Sequence, residues 1–222
     1  MVRPGIVPTE ISAATRTRPV ARGIRCSAAA LATLLIFLGS VAASAQNLVL
    51  RLDPQKTTVN FLLGDVLHTV RGTFGLKDGS LNFDRTSGKL SGAIVIDAKT
   101  GASGNGMRDR KMHREVIESD RFPEISFRPD RVQGTVAPQG SSTVSVHGIF
   151  SIHGADHEMT IPAQVEMLPD RWNASLHFSI PYVKWGMKNP STLFLKVSES
   201  VEIDVKTGGT LSNESGAGII QK

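Results

Sequence analysis

The residues best suited to chemistry in this 222-residue chain are two histidines, His153 and His157, set either side of a Gly-Ala-Asp turn with Asp156 and Glu158 beside them. Imidazole nitrogens and carboxylates are donors that Zn and Cu accept from proteins. A structural zinc site takes four donors, however. The nearest further histidine, His147, lies six residues back on the outward positions of its strand. A solvated hairpin end accounts for the pair better, so no metal is expected, and His153 and His157 stand only as the candidates to check. His68 is placed differently, on the apolar side of a run that also carries Val66, Val70 and Phe74. An inward imidazole there could bond the polar end of an enclosed molecule, or be a core histidine satisfied by a backbone carbonyl. The basic run Arg108, Arg110, Lys111 and Arg114 could hold an anionic group. Its interleaved Asp109, Glu115 and Glu118 favour a solvated helix face.

Enzymatic signatures are missing from the sequence. It has no G-x-S-x-G elbow, no H-E-x-x-H and no phosphate loop. No two acids fall together on an inward face of the clear strands, so the paired carboxylates of acid–base catalysis are not visible. Gly104-Asn105-Gly106 lacks the strand–helix setting of a dinucleotide site and is read as a turn.

The first 25 residues carry five arginines and one acid, followed by an uncharged apolar run and then Ala43-Ser44-Ala45. A basic flank, an apolar centre and a small-residue site have the form of a secretory signal peptide over residues 1–45, cleaved before Gln46. The rival is an uncleaved anchor, because the uncharged stretch 26–47 is long enough to span a bilayer. From Gln46 onward 20 Lys and Arg face 19 Asp and Glu, which leaves no basic footprint for nucleic acid. The only cysteine, Cys26, goes with the leader. The remaining chain must hold together by its apolar core, which about 160 residues can bury.

That core is written with period two. Val59, Phe61 and Leu63 alternate with polar positions, as do Leu90, Ile94 and Ile96. Val144, Val146, Phe150 and Ile152 oppose Ser145, His147, Ser151 and His153; Ala174, Leu176, Phe178 and Ile180 oppose Ser175, His177 and Ser179. Met159, Ile161, Ala163 and Val165 form another such face, and Val201, Ile203 and Val205 close the series. Turn signals fall at Lys77-Asp78-Gly79, Ser87-Gly88, Gly154-Ala155-Asp156 and Pro169-Asp170. Long antiparallel strands with one apolar face must stack or close. The expectation is an all-β chain: a single extended antiparallel barrel of about eight strands with one short helix. The helix is placed at residues 110–118, capped by Asn105 or Asp109, with Met112 and Val116 on one face. So narrow a stripe is stable only when docked, either as a lid over a hollow or as a plug that completes the core.

The segment VNFLLGDVLHTVRGTF at residues 59–74 resembles the opening pattern of YceI-like proteins. Arg108-Asp109, FPEISF at 122–127, VHGIFSIHG at 146–154 and WGM at 185–187 then follow in that family's order. The resemblance covers about residues 50–206, nearly the whole of the chain after the leader. It implies a lipocalin-like barrel exported to the periplasm, often a homodimer and without enzymatic activity. It also implies a long apolar ligand: a polyisoprenoid, an isoprenoid quinone or a fatty-acid derivative. One stretch departs from the pattern. Where members often read I-x-R-x-D-F-G, this chain has Tyr182, Lys184 and Trp185 in place of the Arg, Asp and Phe. The family's polar contact is therefore not expected here.

The combined expectation is a barrel over residues 46–207 and a flexible tail over 208–222. Phe61, Phe74, Val146, Phe150, Phe178 and Ile180 would line its cavity, with Met112, Trp185 and Met187 near the mouth. His68 and Tyr182 would choose among head groups, and no cofactor other than a bound lipid is expected. The rivals are a structural or interaction protein with a filled barrel, and an envelope protein binding metal through His153 and His157.

Overall fold

The computed structural model describes residues 47–64, 69–191 and 196–213. Nine antiparallel strands form one sheet: β1 (Asn47–Leu52), β2 (Thr58–Gly64), β3 (Thr69–Asp84), β4 (Leu90–Ala102), β5 (Glu124–Gln133), β6 (Gly140–Ile152), β7 (Ala155–Met167), β8 (Arg171–Ile180) and β9 (Val201–Asn213). Pairing of β3 with β4 closes the sheet into a ring. Strands β1 and β2 share one position in that ring. β1 pairs with the end of β3 and the end of β9, and β2 with the start of each. The break between them is a 3-10 turn, Pro54–Lys56, started by the Asp53 carboxylate, which accepts the Gln55 N–H at 2.9 Å. The proline has no N–H to lose at the first position of such a turn. Nine strands thus make an eight-position barrel.

Two of the expected boundaries are corrected. Lys77-Asp78-Gly79 is not a turn, because β3 runs through it. Leu76 sits opposite Ile96 and Asp78 opposite Val95, so Lys77 is the extra residue of a β-bulge. The bulge switches the inward parity of the strand. Val70 and Phe74 face in before it, Leu81 and Phe83 after it. Glycine and aspartate in a strand carry the same local signature as a hairpin turn, which is why the sequence misleads here. The flexible tail expected from residue 208 is also corrected: Gly208 to Asn213 are the end of β9, paired with both β1 and β8. The residues beyond Asn213 lie outside the described ones, as does the leader.

The helix is a continuous segment, α1 (Gly106–Lys111) followed by a π-helical turn, Met112–Val116. It begins four residues earlier than the sequence suggests. Its cap is Asn105, whose side chain accepts the Met107 and Arg108 N–H groups. Asp109 instead turns back to accept from the Ser103 backbone and hydroxyl. The π turn follows from the Ile117 N–H bonding back to the Met112 carbonyl. Glu118, placed in the helix from sequence, has φ 51° and terminates it.

The barrel interior divides along its length. At the β1 end, Leu48, Leu50, Leu81, Phe83, Leu90, Met167 and Trp172 pack into a filled core. At the β2 end, Val59, Phe61, Ile125, Phe150, Ile180, Tyr182 and Ile203 form a second cluster, joined by Ile117 below the helix. The second cluster encloses a hollow.

Candidate functional site

The hollow is a cavity of about 540 Å³, within the roughly 300–1,000 Å³ usual for small-molecule sites. Leu52 and Ile94 touch both it and the filled core, and so form its floor. Thr57 and Thr207 also sit there, and their polarity is satisfied locally: Thr57 donates to the Asp53 carbonyl at 2.8 Å and meets the Thr207 hydroxyl at 2.8 Å. The walls are apolar residues whose inward direction follows from the pleat. The helix covers one end. Met112, Val116 and Ile117 face the cavity, as the docked stripe requires. Met107 and Arg108 line the cavity and are also exposed, so the opening lies beside them.

Of the residues expected to line a cavity, Phe61, Phe74, Met112, Phe150, Phe178, Ile180, Tyr182 and Met187 do so. Val146 does not; it packs against the filled core one level below. Trp185 does not either. Its indole stacks on the His157 ring at 3.9 Å and 6° and stands 5.9 Å from Phe150. His68 lies outside the described residues. The Tyr182 hydroxyl donates to the Ser198 carbonyl at 2.7 Å, and burial, with the nearby Glu199 carboxylate adding, pushes its pKa up to about 12. It therefore stays protonated, with its proton committed to the protein rather than to an occupant. Sequence reasoning assigned Leu176, Ile203 and Val205 to inward faces without placing them at the cavity, where the structure puts them. Parity identifies an inward residue but not its height in the barrel.

The histidine pair at the β6–β7 hairpin takes separate partners. His153 lies against the Phe122 ring at 4.6 Å and 3.3 Å from a Glu118 carboxylate oxygen, while His157 stacks on Trp185. No group of three or more His, Cys, Asp or Glu among the described residues is arranged to hold a metal ion. The basic run divides. Arg114 pairs with Glu115 at 3.3 Å and Arg110 is exposed, as on a solvated face. Arg108 and Lys111 line the cavity instead.

His147, on the opposite face of β6 from Val146, is a residue whose surroundings the sequence did not show. It is buried, with Nδ1 2.8 Å from an Asp130 carboxylate oxygen and Nε2 2.7 Å from one of Glu158, so that the protonated ring donates to both. Asp130 is the extra residue of a bulge in β5, which aims its carboxylate at the ring. The Asp130 bond, with the Glu158 bond adding, holds the imidazole pKa above its ordinary value against the opposing effect of burial.

A closed antiparallel barrel with one filled end and one apolar hollow is the architecture of barrels that enclose a small ligand. The YceI-like domain matches residues 50–208, and the chain belongs to that family. Solved structures agree on the fold. BcnA of Burkholderia cenocepacia is similar at a TM-score of 0.59 with 15% identity, over 72% of this chain and 99% of that one. A polyisoprenoid binding domain from Saccharophagus degradans, implicated in plant cell wall breakdown, gives 0.57 with 16% identity, over 73% and 98%. The YCEI protein of Campylobacter jejuni gives 0.52 with 16% identity, over 65% and 86%. No functionally curated protein matches the sequence.

Proposed function

We propose that this protein is a non-enzymatic binding protein, exported to the periplasm, that holds one long apolar molecule inside its barrel. The observation that carries this is the 540 Å³ hollow walled by apolar side chains. A barrel whose role was structural would gain by filling it, since unfilled interior volume is costly. Membership of the YceI-like family and the likeness to a polyisoprenoid binding domain support a ligand of the polyisoprenoid, isoprenoid quinone or fatty-acid kind. Affinity would come mainly from burial, at about 25 cal/mol per Å² of apolar surface before the costs of ordering. The basic, apolar and small-residue leader supports export with residues 1–45 removed, and no helix among the described residues is long and apolar enough to cross a membrane.

The test is mass spectrometry of the protein purified from the cell envelope, intact and after solvent extraction. The expected result is a chain beginning at Gln46 and one apolar molecule per barrel. A barrel that yields no extractable molecule, and takes up none of a panel of prenols, quinones and fatty acids, would remove the binding function. A full-length mass in the membrane fraction would replace export by anchoring.

A further inference from the structure

The cavity's lining is uneven in charge. Arg108 and Lys111 are its only charged residues among the described ones, and no described Asp or Glu reaches it. Both cations stand at the helix end, where the cavity meets water. Of the neighbouring basic residues, Arg114 and Lys188 pair with Glu115, Arg121 with Glu118 and Lys99 with Asp120, while Arg110 is exposed on the other side of the helix and does not line the cavity. Among the described residues, Arg108 and Lys111 bond only neutral oxygens. Arg108 donates from Nε to the Ser103 hydroxyl at 2.7 Å and from Nη2 to the Ser103 carbonyl at 3.0 Å. Lys111 donates to the Pro190 carbonyl at 3.0 Å. The nearest acid in sequence, Asp109, is turned to Ser103 and makes no ion pair with Arg108 within 4.0 Å, although it offsets part of that charge.

These contacts hold the two head groups in place, and although Asp109 near Arg108 and Glu115 near Lys111 offset part of their charge, neither acid forms an ion pair with them among the described residues. A guanidinium has five N–H donors and an ammonium three, so each keeps donors to spare. Two fixed cations at the rim of an apolar cavity attract negative charge there and repel positive charge. The far end of the cavity is closed by Leu52 and Ile94 over the filled core. An occupant must therefore enter tail first and leave its polar end at the rim.

From this we infer that the ligand is an amphiphile with a single long apolar tail and an anionic head, a carboxylate or a phosphate, held by Arg108 and Lys111. This rests on the hollow being a ligand site. It separates this protein's ligand from a neutral prenol, quinone or ester of the same length.

The experiment compares matched probes on the purified protein: palmitate, methyl palmitate, hexadecyl phosphate, hexadecylamine and inorganic phosphate, measured by titration calorimetry at low and high salt. Charge-assisted bonds set the expected scale. Palmitate and hexadecyl phosphate should bind about tenfold to a hundredfold more tightly than methyl palmitate, and the preference should shrink as salt rises. In Arg108→Gln/Lys111→Gln the preference should fall to near one, through loss of affinity for palmitate and hexadecyl phosphate rather than a gain for methyl palmitate. In Arg108→Glu/Lys111→Glu it should reverse in favour of hexadecylamine, an outcome that a misfolded variant cannot produce. Inorganic phosphate should not displace hexadecyl phosphate at equal concentration; if it does, the rim is an ion site with no use for a tail and the inference fails. Equal affinity of wild type for palmitate and methyl palmitate overturns the anionic head but leaves the apolar site standing. Failure of every probe to bind overturns both.

Discussion

The two ends of this barrel are built from the same kinds of residue and, β1 and β2 aside, from shared strands, yet one is solid and the other hollow. At the solid end Phe83, Met167 and Trp172 belong to one buried cluster, Met167 and Trp172 as cross-strand neighbours. At the hollow end Phe61, Phe74, Phe150 and Phe178 line the cavity. Phe61 packs 5.4 Å from Phe74, and Phe150 6.3 Å from Phe178, ring against ring. Glycine makes part of this arrangement possible. Gly72 sits opposite Phe61 on the neighbouring strand, and the ring lies over the space a Cβ would take. Gly101 gives similar room to Phe74 and Met112. An aromatic ring laid flat over a cross-strand glycine covers the wall instead of crossing the interior. Both ends are apolar, and the glycines opposite Phe61 and beside Phe74 are one source of the difference between them.

The sharpest way to break this comparison is to cut the solid end. Trp172→Ala should cost about 3–5 kcal/mol of stability, the range for a large aromatic removed from a packed core. Chemical denaturation of the ligand-free protein would show it. The surviving folded fraction should bind ligand as before. A loss of affinity without a loss of stability would mean that the ends are not separate. At the hollow end the balance should invert. Met112→Asp puts a charge on the cavity wall and should weaken binding of a neutral ligand by at least about tenfold, because a desolvated charge without a partner is costly. The melting temperature of the ligand-free protein should fall far less than in Trp172→Ala. A large fall there would make the helix a plug rather than a lid.

Gly72→Ala tests the glycine argument directly. The added methyl would crowd both the Phe61 ring and the Ala102 carbonyl oxygen, 2.5 Å from its position, so the ring must move toward the hollow and β4 must shift as well, at about 1–3 kcal/mol or more of overpacking. Stability and ligand capacity should therefore drop together, with capacity read from extracted lipid per chain. Unchanged capacity would show that the ring has room elsewhere.

The smallest effect is expected on the outside of the wall. His147 is clamped by Asp130 and Glu158 between Val146, which belongs to the solid end, and Phe150, which belongs to the hollow one. Its folded pKa is raised, so its contribution is fully present below the unfolded value of about 6.5 and is lost as pH rises through the folded value. Melting temperature should decline over that window in wild type and stay flatter in His147→Gln, with ligand affinity little changed in either. A decline of equal size in His147→Gln would assign it to other groups.

Much of this was legible in the sequence because a half-buried strand must alternate. The period-two runs gave the strands, their inward faces and the ring. What alternation cannot give is position along the axis. Val146 has the right parity for the cavity and lies below it, whereas Ile203 and Val205 share a face and reach it. Trp185 follows the last residues of β8 and belongs to no strand, so no period could place it, and it took His157 as its partner. The basic run was split by helix geometry. Arg108 and Lys111 are three apart and share a side, while Arg110 and Arg114 share another. Charge composition averages over both sides and so hides the split. Asp130 became a partner of His147 only through a bulge, which depends on the pairing of β5 with β6 and leaves no mark in either strand alone.

The extra residue at Lys77 has a consequence for how such a chain can change over generations. Because the bulge resets which positions of β3 face inward, residues before and after it are free to vary as separate sets. New side chains around Val70 and Phe74 need no adjustment at Leu81 and Phe83. The loss of one codon can be absorbed at the same place. Deleting Lys77 would leave Leu76 opposite Ile96 and put Asp78 next to it opposite Val95, an unbroken ladder in which both pairs still face inward. The strand can therefore change its length by one residue at this point without turning an inward side chain out, so related chains with other ligands should be able to lack the bulge as well as differ in the residues above it.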